Sequence, residues 1–156
     1  MLLTQWRGRA ASFKDCVDLH SLEDPITSLM LMARKYINLP THDPKLPFSD
    51  AVLIDGMLYL SGRIGIDPKT GQAPNDIDLE IKYLLDGVKA VLAAAGMTMD
   101  DLVSVQIFCP NLGLFDHFNS TYRTYFTRDL PARAFLGSGP LLRGGHFELM
   151  AQAKKD

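Results

Sequence analysis

Few features of this sequence are extreme, and what it lacks narrows the possibilities. Its 156 residues include two cysteines and one tryptophan. Cys16 and Cys109 form no CxxC and stand in no Cys/His spacing, which argues against a thiolate metal centre and against a disulfide framework. Cys109 lies in an apolar run and reads as a small packed hydrophobe, in keeping with a reducing, cytoplasmic setting. No apolar run approaches the roughly 20 residues of a membrane-spanning helix, so no membrane association is expected. Neither sign of charge dominates: 16 Lys and Arg against 18 Asp and Glu leave a net charge of −2. Such a chain exerts no general pull on a phosphate backbone, and nucleic acid is a disfavoured partner. None of the four histidines has metal-ligand spacing, and "GSGPLLRGG" lacks the GK[ST] ending of a phosphate loop. No metal is expected.

What is present suits one soluble domain with one core, at 47% hydrophobic and 22% charged residues. Residues 1–33 read differently from the rest. Arg7, Arg9, Lys14 and Asp15 interrupt any secretory apolar segment, and Met32 opens "MARKYINLPTHDP" as a natural start. Residues 1–33 are therefore expected to form an extension outside the fold, with the domain spanning 34–156.

Periodicity orders the elements. "AVLIDGMLYLSG" is two apolar runs about Asp55-Gly56, a dipeptide suited to a two-residue hairpin turn because both positions accept positive φ. "DPKTGQ" is a second turn. Ile81, Leu84, Leu85, Val88, Val91, Leu92 and Ala95 recur at helical spacing, with Asp76 or Asp78 to cap the start and Gly96 at the end. "DLVSVQIFC" alternates as a strand, and a second helix sets Phe115, Phe118, Tyr122 and Phe126 on one face. Pro131 opens a strand carrying Arg133, Gly144-Gly145 turns, and "HFELMAQA" closes the sheet. The predicted order is strand, strand, helix, strand, helix, strand, strand. Two helices cover only one face of such a sheet, yet the first hairpin is apolar on both faces. A second subunit on the bare face, and hence a homo-oligomer, is expected.

Two charges stand out among strand-forming residues. Arg133 and Glu148 lie on consecutive strands joined by a glycine turn, so both are expected to approach one place. Arginine grips a carboxylate through a planar fork of donors, and a glutamate can position water. The plain alternative is a cross-strand ion pair contributing about 0–1 kcal/mol if exposed. Ser61 has no GxSxG elbow around it and reads as a strand-end hydroxyl rather than a nucleophile.

Several segments, in order, resemble the RidA (YjgF) family of reactive-intermediate imine deaminases, over roughly residues 46–153. The family's GPYSQAV, SGQIG and DPKTG have counterparts in "LPFSDAV", "LSGRIG" and "IDPKTGQ". Its LxNLKAVLEAAG helix has one in "LLDGVKAVLAAAG", and its DFxxxNxxYxxYF in "LFDHFNSTYRTYF", with Asn119 in place. Its PPAR strand matches "LPARAF" and its closing VEIEAIA matches "FELMAQA". The resemblance implies a chorismate-mutase-like α+β fold, a mixed sheet with two helices packed on one face, and a homotrimer with sites in the clefts between subunits. It implies that Arg133 holds a substrate carboxylate and Glu148 handles water, with Ser61, Asn119 and Phe48 in the pocket.

The sequence also departs from the family pattern. Phe48 replaces a tyrosine, Phe135 a cysteine and Arg63 a glutamine, while Leu46, Asp50 and Met150 replace glycine, glutamine and glutamate. Phe135 is expected to narrow the cleft, and Arg63 to add a charge near Ser61. The implied activity is hydrolysis of small 2-imino acids to 2-keto acids and ammonia without a cofactor. A related hydrolase or a ligand-binding protein on the same fold is the first alternative, and RNA cleavage, given the endoribonuclease label of some relatives, the second.

Overall fold

The structure is a computed structural model and describes residues 33–155. The proposed extension, Cys16 included, lies outside the described residues apart from Ala33. Six strands form one sheet: β1 (Lys35–Ile37), β2 (Ala51–Ile54), β3 (Met57–Ile64), β4 (Leu102–Cys109), β5 (Ala132–Gly137) and β6 (Glu148–Lys154). Among the described residues two helices, α1 (Ile77–Ala94) and α2 (Phe115–Tyr122), complete an α+β architecture. The order across the sheet is β1-β2-β3-β6-β4-β5. Every pair is antiparallel except β4 with β5, which is parallel and bridged by α2.

Local chemistry accounts for the elements. Asp55 (φ 50°) and Gly56 (φ 73°) both take left-handed backbone in the β2–β3 turn, as the Asp-Gly pair predicts. Asp76 caps α1, its carboxylate accepting from the N–H groups of Asp78 (3.0 Å) and Leu79 (3.3 Å). At the other end Met97 N–H reaches Leu92 O and Gly96 N–H reaches Ala93 O, each at 2.9 Å, the paired bonds of a Schellman ending. Ile81, Leu84, Leu85, Val88, Val91 and Leu92 are buried on one stripe of α1. Each contributes roughly 1.5–3 kcal/mol by leaving water.

They pack on alternate residues of the strands: Leu58 and Leu60 on β3, Val105, Ile107 and Cys109 on β4, and Leu149, Ala151 and Ala153 on β6. The opposite face of the sheet carries Tyr36, Tyr59 and Met150, all exposed. No helix among the described residues is long and apolar enough to cross a membrane.

The structure adds one strand to the sequence reading. β1 has three residues and is followed by a proline-bearing segment, so it offers no alternation to detect; its pairing with β2 defines it. The second helix is also shorter than its aromatic spacing suggests, passing after Tyr122 into a 3₁₀ turn at Arg123–Tyr125.

Candidate functional site

The described residues form two clefts that bear on the candidate site. The smaller, about 240 Å³, is lined by Asn119, Tyr122, Arg123, Leu130, Pro131 and Arg133. Arg133 rises from β5 beneath α2, where its Nη2 donates to Asn119 Oδ1 at 2.6 Å. Its guanidinium carbon lies 4.7 Å from the centre of the Tyr122 ring and 5.7 Å from that of Phe115. An amide oxygen and an aromatic face thus hold the guanidinium in place. Tyr122 is 2% exposed, and its hydroxyl has no hydrogen-bond partner. Burial pushes that phenol up to about 12, against the opposing pull of Arg133, so it stays protonated.

The larger cleft, about 620 Å³, is lined by Phe48, Asp50, Ser61, Arg63, Arg143 and Glu148 with apolar neighbours that include Leu142 and Met150. Glu148 opens β6, and its carboxylate lies against Gly62, where a Cβ would come within 2.2 Å of Oε1. Only glycine leaves room for that carboxylate. The Ser61 hydroxyl donates to Ser49 O at 2.7 Å, tying β3 to the segment before β2. Phe48, nearly half exposed, forms part of the wall. Phe48, Ser61, Arg63 and Glu148 therefore stand together, while Arg133 and Asn119 stand apart from them.

That separation corrects the expectation that Arg133 and Glu148 approach one place. Their strands are consecutive in sequence but not neighbours, because β4 lies between them. Arg133 stands opposite Val105 and Glu148 opposite Phe108. Three residues apart on one strand, Val105 and Phe108 point to opposite faces. Within one chain Arg133 lies on the helix side of the sheet and Glu148 on the bare side. Neither an ion pair between them nor a shared intrachain pocket forms.

Two departures noted in the sequence form a pair. Arg63 Nη2 donates to Asp50 Oδ1 at 3.2 Å. Asp50 also accepts from Leu39 N–H at 2.8 Å and lies 3.4 Å from His42 Nδ1. Burial lowers the Arg63 pKa, and the Asp50 charge opposes that shift. The arginine stem lies against α1, where a Cβ on Gly87 would meet its Cδ at 2.8 Å. Its charge is thus directed to Asp50 rather than left free beside Ser61.

Phe135 lines neither cleft. Its ring meets Phe115 edge-on at 5.2 Å and Phe118 at 5.8 Å, within an aromatic cluster under α2. Its opposite residue on β4 is Ile107, whose side chain enters the core, and the β5 register carries Phe135 to the same side.

Sequence reading missed one charged residue, Glu80, fully buried on α1 and bonded to the chain just before β6. The signal was present: Glu80 falls on the stripe of Ile77, Ile81 and Leu84. It also left unassigned Arg143, which has left-handed backbone (φ 57°) and lines the larger cleft. Among the described residues no cluster of three or more His, Cys, Asp or Glu side chains is placed to hold a metal ion.

Comparison with known proteins adds to this geometry. Residues 40–155 match the family described as Endoribonuclease L-PSP. A 2-iminobutanoate/2-iminopropanoate deaminase of Mus musculus is 36% identical over 108 residues, covering 69% of this chain and 80% of that protein. Protein DfrA of Myxococcus xanthus is 39% identical over 127 residues, covering 78% and 96%. The crystal structure of the YjgF gene product of E. coli superposes with a TM-score of 0.72 at 31% identity, covering 78% of this chain and 99% of that one.

Proposed function

The chain belongs to the endoribonuclease L-PSP family, which includes the RidA/YjgF proteins, and on that premise we propose that it hydrolyses small 2-imino acids to 2-keto acids and ammonia. We further propose that it acts as a homotrimer whose active sites lie between subunits. The observation that carries both readings is the placement of Arg133 and Glu148 on opposite faces of one sheet, each in an open cleft. A carboxylate clamp and a water-handling carboxylate serve one substrate only if the cleft of one subunit faces the other cleft of its neighbour. A head-to-tail ring of three identical chains makes that juxtaposition three times. The exposed Tyr36, Tyr59 and Met150 on the bare sheet face supply apolar surface for such an assembly.

In the proposed reaction the guanidinium of Arg133, held by Asn119 and Tyr122, takes the substrate carboxylate through two parallel N–H bonds. Glu148 of the adjoining subunit orients a water and accepts a proton from it as oxygen bonds to the carbon of the protonated imine, whose C=N π pair passes to nitrogen. The resulting carbinolamine has one carbon bearing both hydroxyl and amine. Glu148 returns the proton to nitrogen, the C–N bond breaks, ammonia leaves, and the hydroxyl loses its proton to give the keto acid. Such imines also hydrolyse unaided, so a few kcal/mol of barrier lowering suffices, at about 1.4 kcal/mol per tenfold. Positioning can supply it.

The test is release of keto acid from 2-iminopropanoate generated in situ, measured above the spontaneous rate. Turnover that Glu148→Gln lowers by about a hundredfold supports the reading. Binding of 2-keto acids without turnover favours a ligand-binding role, to which Phe48 lends weight by lacking a phenol hydroxyl at the cleft wall.

A further inference from the structure

Glu80 belongs to neither cleft, yet its carboxylate is the most fully enclosed charge among the described residues, at 0% exposed. Oε1 accepts from the backbone N–H of His146 at 2.6 Å and of Phe147 at 3.1 Å. Oε2 lies 2.6 Å from His146 Nδ1, the third contact around one carboxylate. Glu148, the first residue of β6, follows Phe147 directly in the chain.

We propose that Glu80 is a positioning residue which, with His146, fixes the start of β6 and so aims the Glu148 carboxylate into the larger cleft. This rests on the reading of Glu148 as the water-handling group.

Three close approaches transmit the constraint. A Cβ on Gly65 would lie 2.0 Å from the Glu80 carbonyl oxygen, so α1 sits directly on the chain leaving β3. A Cβ on Gly145 would lie 2.6 Å from Ile64 Cγ2, and one on Gly62 would lie 2.2 Å from Glu148 Oε1. Glu148 is itself paired with Ile64 on β3 and Phe108 on β4. The start of β6 thus has no slack in the sheet, and Glu80 is the side chain that binds it from the helix layer. Releasing the two N–H groups shifts the segment that carries Glu148.

His146 serves as a tether in this arrangement. Its Nδ1 faces Glu80, and its ring lines neither cleft, which sets it apart from a proton donor to substrate. The charged groups that share the cleft with Glu148 are Asp50, Arg63 and Arg143, and none of them contacts Glu80.

The experiment compares wild type, Glu80→Ala, Glu80→Gln and His146→Ala in the full chain, with two readouts. In imine hydrolysis, Glu80→Ala lowers kcat by about tenfold or more while KM stays within about twofold, because the carboxylate clamp is elsewhere. Glu80→Gln restores kcat to within about threefold, since its amide oxygen still accepts both main-chain N–H groups. His146→Ala falls between. The second readout needs no activity: the ¹³C resonance of the Glu148 side-chain carboxyl at fixed pH. It moves in Glu80→Ala and His146→Ala and stays near its wild-type position in Glu80→Gln.

If the wild type hydrolyses no imino acid, the proposed function fails and the carboxyl resonance alone decides the positioning role. A Glu80→Ala protein with a lower melting temperature but unchanged kcat and an unmoved Glu148 resonance overturns the proposal. Should Glu80→Ala fail to fold, the same two null results in His146→Ala overturn it.

Discussion

A guanidinium fixed by an amide oxygen and an aromatic ring binds a carboxylate with little further ordering. Lysine at position 133 would keep the charge and lose the fork. Arg133→Lys is therefore expected to lower kcat/KM for 2-iminopropanoate by at least about tenfold, since charge-assisted bonds contribute roughly 1.5–3 kcal/mol each. Its melting temperature should fall by only a few degrees, because one bond to Asn119 and two ring contacts are weakened. Glu148→Gln should behave differently, reducing kcat by about a hundredfold while leaving affinity for a 2-keto acid within about twofold. Steady-state kinetics and calorimetric binding on the two variants separate these outcomes.

Residue chemistry at these positions was legible in the sequence because few charged side chains interrupt strands. Residue surroundings were not. Phe135 follows Arg133 by two residues, and nothing in its spacing distinguishes a cleft wall from an aromatic cluster. The rings of Phe115 and Phe118 decide the matter. Phe135→Cys is accordingly expected to cost roughly 2 kcal/mol of stability by opening a void in that cluster. It should leave the ratio of turnover on small and bulky imino acids unchanged, as denaturant titration and a substrate series would show.

The elements were read from signals that act over a few residues. Asp55-Gly56, Asp76, Gly96 and the helical stripe of α1 each specify their element by local sterics or hydrogen bonding, and each is found where that chemistry places it. β1 carried no such signal, being three residues long and defined by its partner. The order of strands across the sheet was equally hidden. Consecutive strands suggest adjacency, but the parallel β4–β5 pair puts β5 at the edge and leaves β6 on the far side of β4.

The larger cleft depends on one backbone position in β3. Gly62→Ala places a methyl group where the Glu148 carboxylate lies, so the side chain must turn away. This variant should lose about tenfold or more in kcat with a small change in melting temperature. An alanine variant with full kcat would separate the Glu148 carboxylate from catalysis.

At the scale of the molecule, one chain carries Arg133 and Glu148 in separate clefts on opposite faces of its sheet. The sequence pointed toward an assembly through the doubly apolar β2–β3 hairpin. It did not show that the two charged residues lie on opposite faces of the sheet, since this depends on the strand order. Residues 34–156 alone are expected to form the same trimer as the full chain, and static light scattering of both proteins checks this. Monomers of the shorter protein would remove the basis for a shared site.

The most direct measurement mixes two inactive variants. Arg133→Ala and Glu148→Ala subunits are unfolded together, refolded at equal concentration and assayed on 2-iminopropanoate. In a head-to-tail ring each site takes Arg133 from one subunit and Glu148 from the next, so random mixing leaves about one quarter of the sites with both residues. The account predicts that the mixture recovers about one quarter of wild-type activity while each variant alone shows none. A mixture no more active than its parents, in trimers shown to contain both variants, would contradict it.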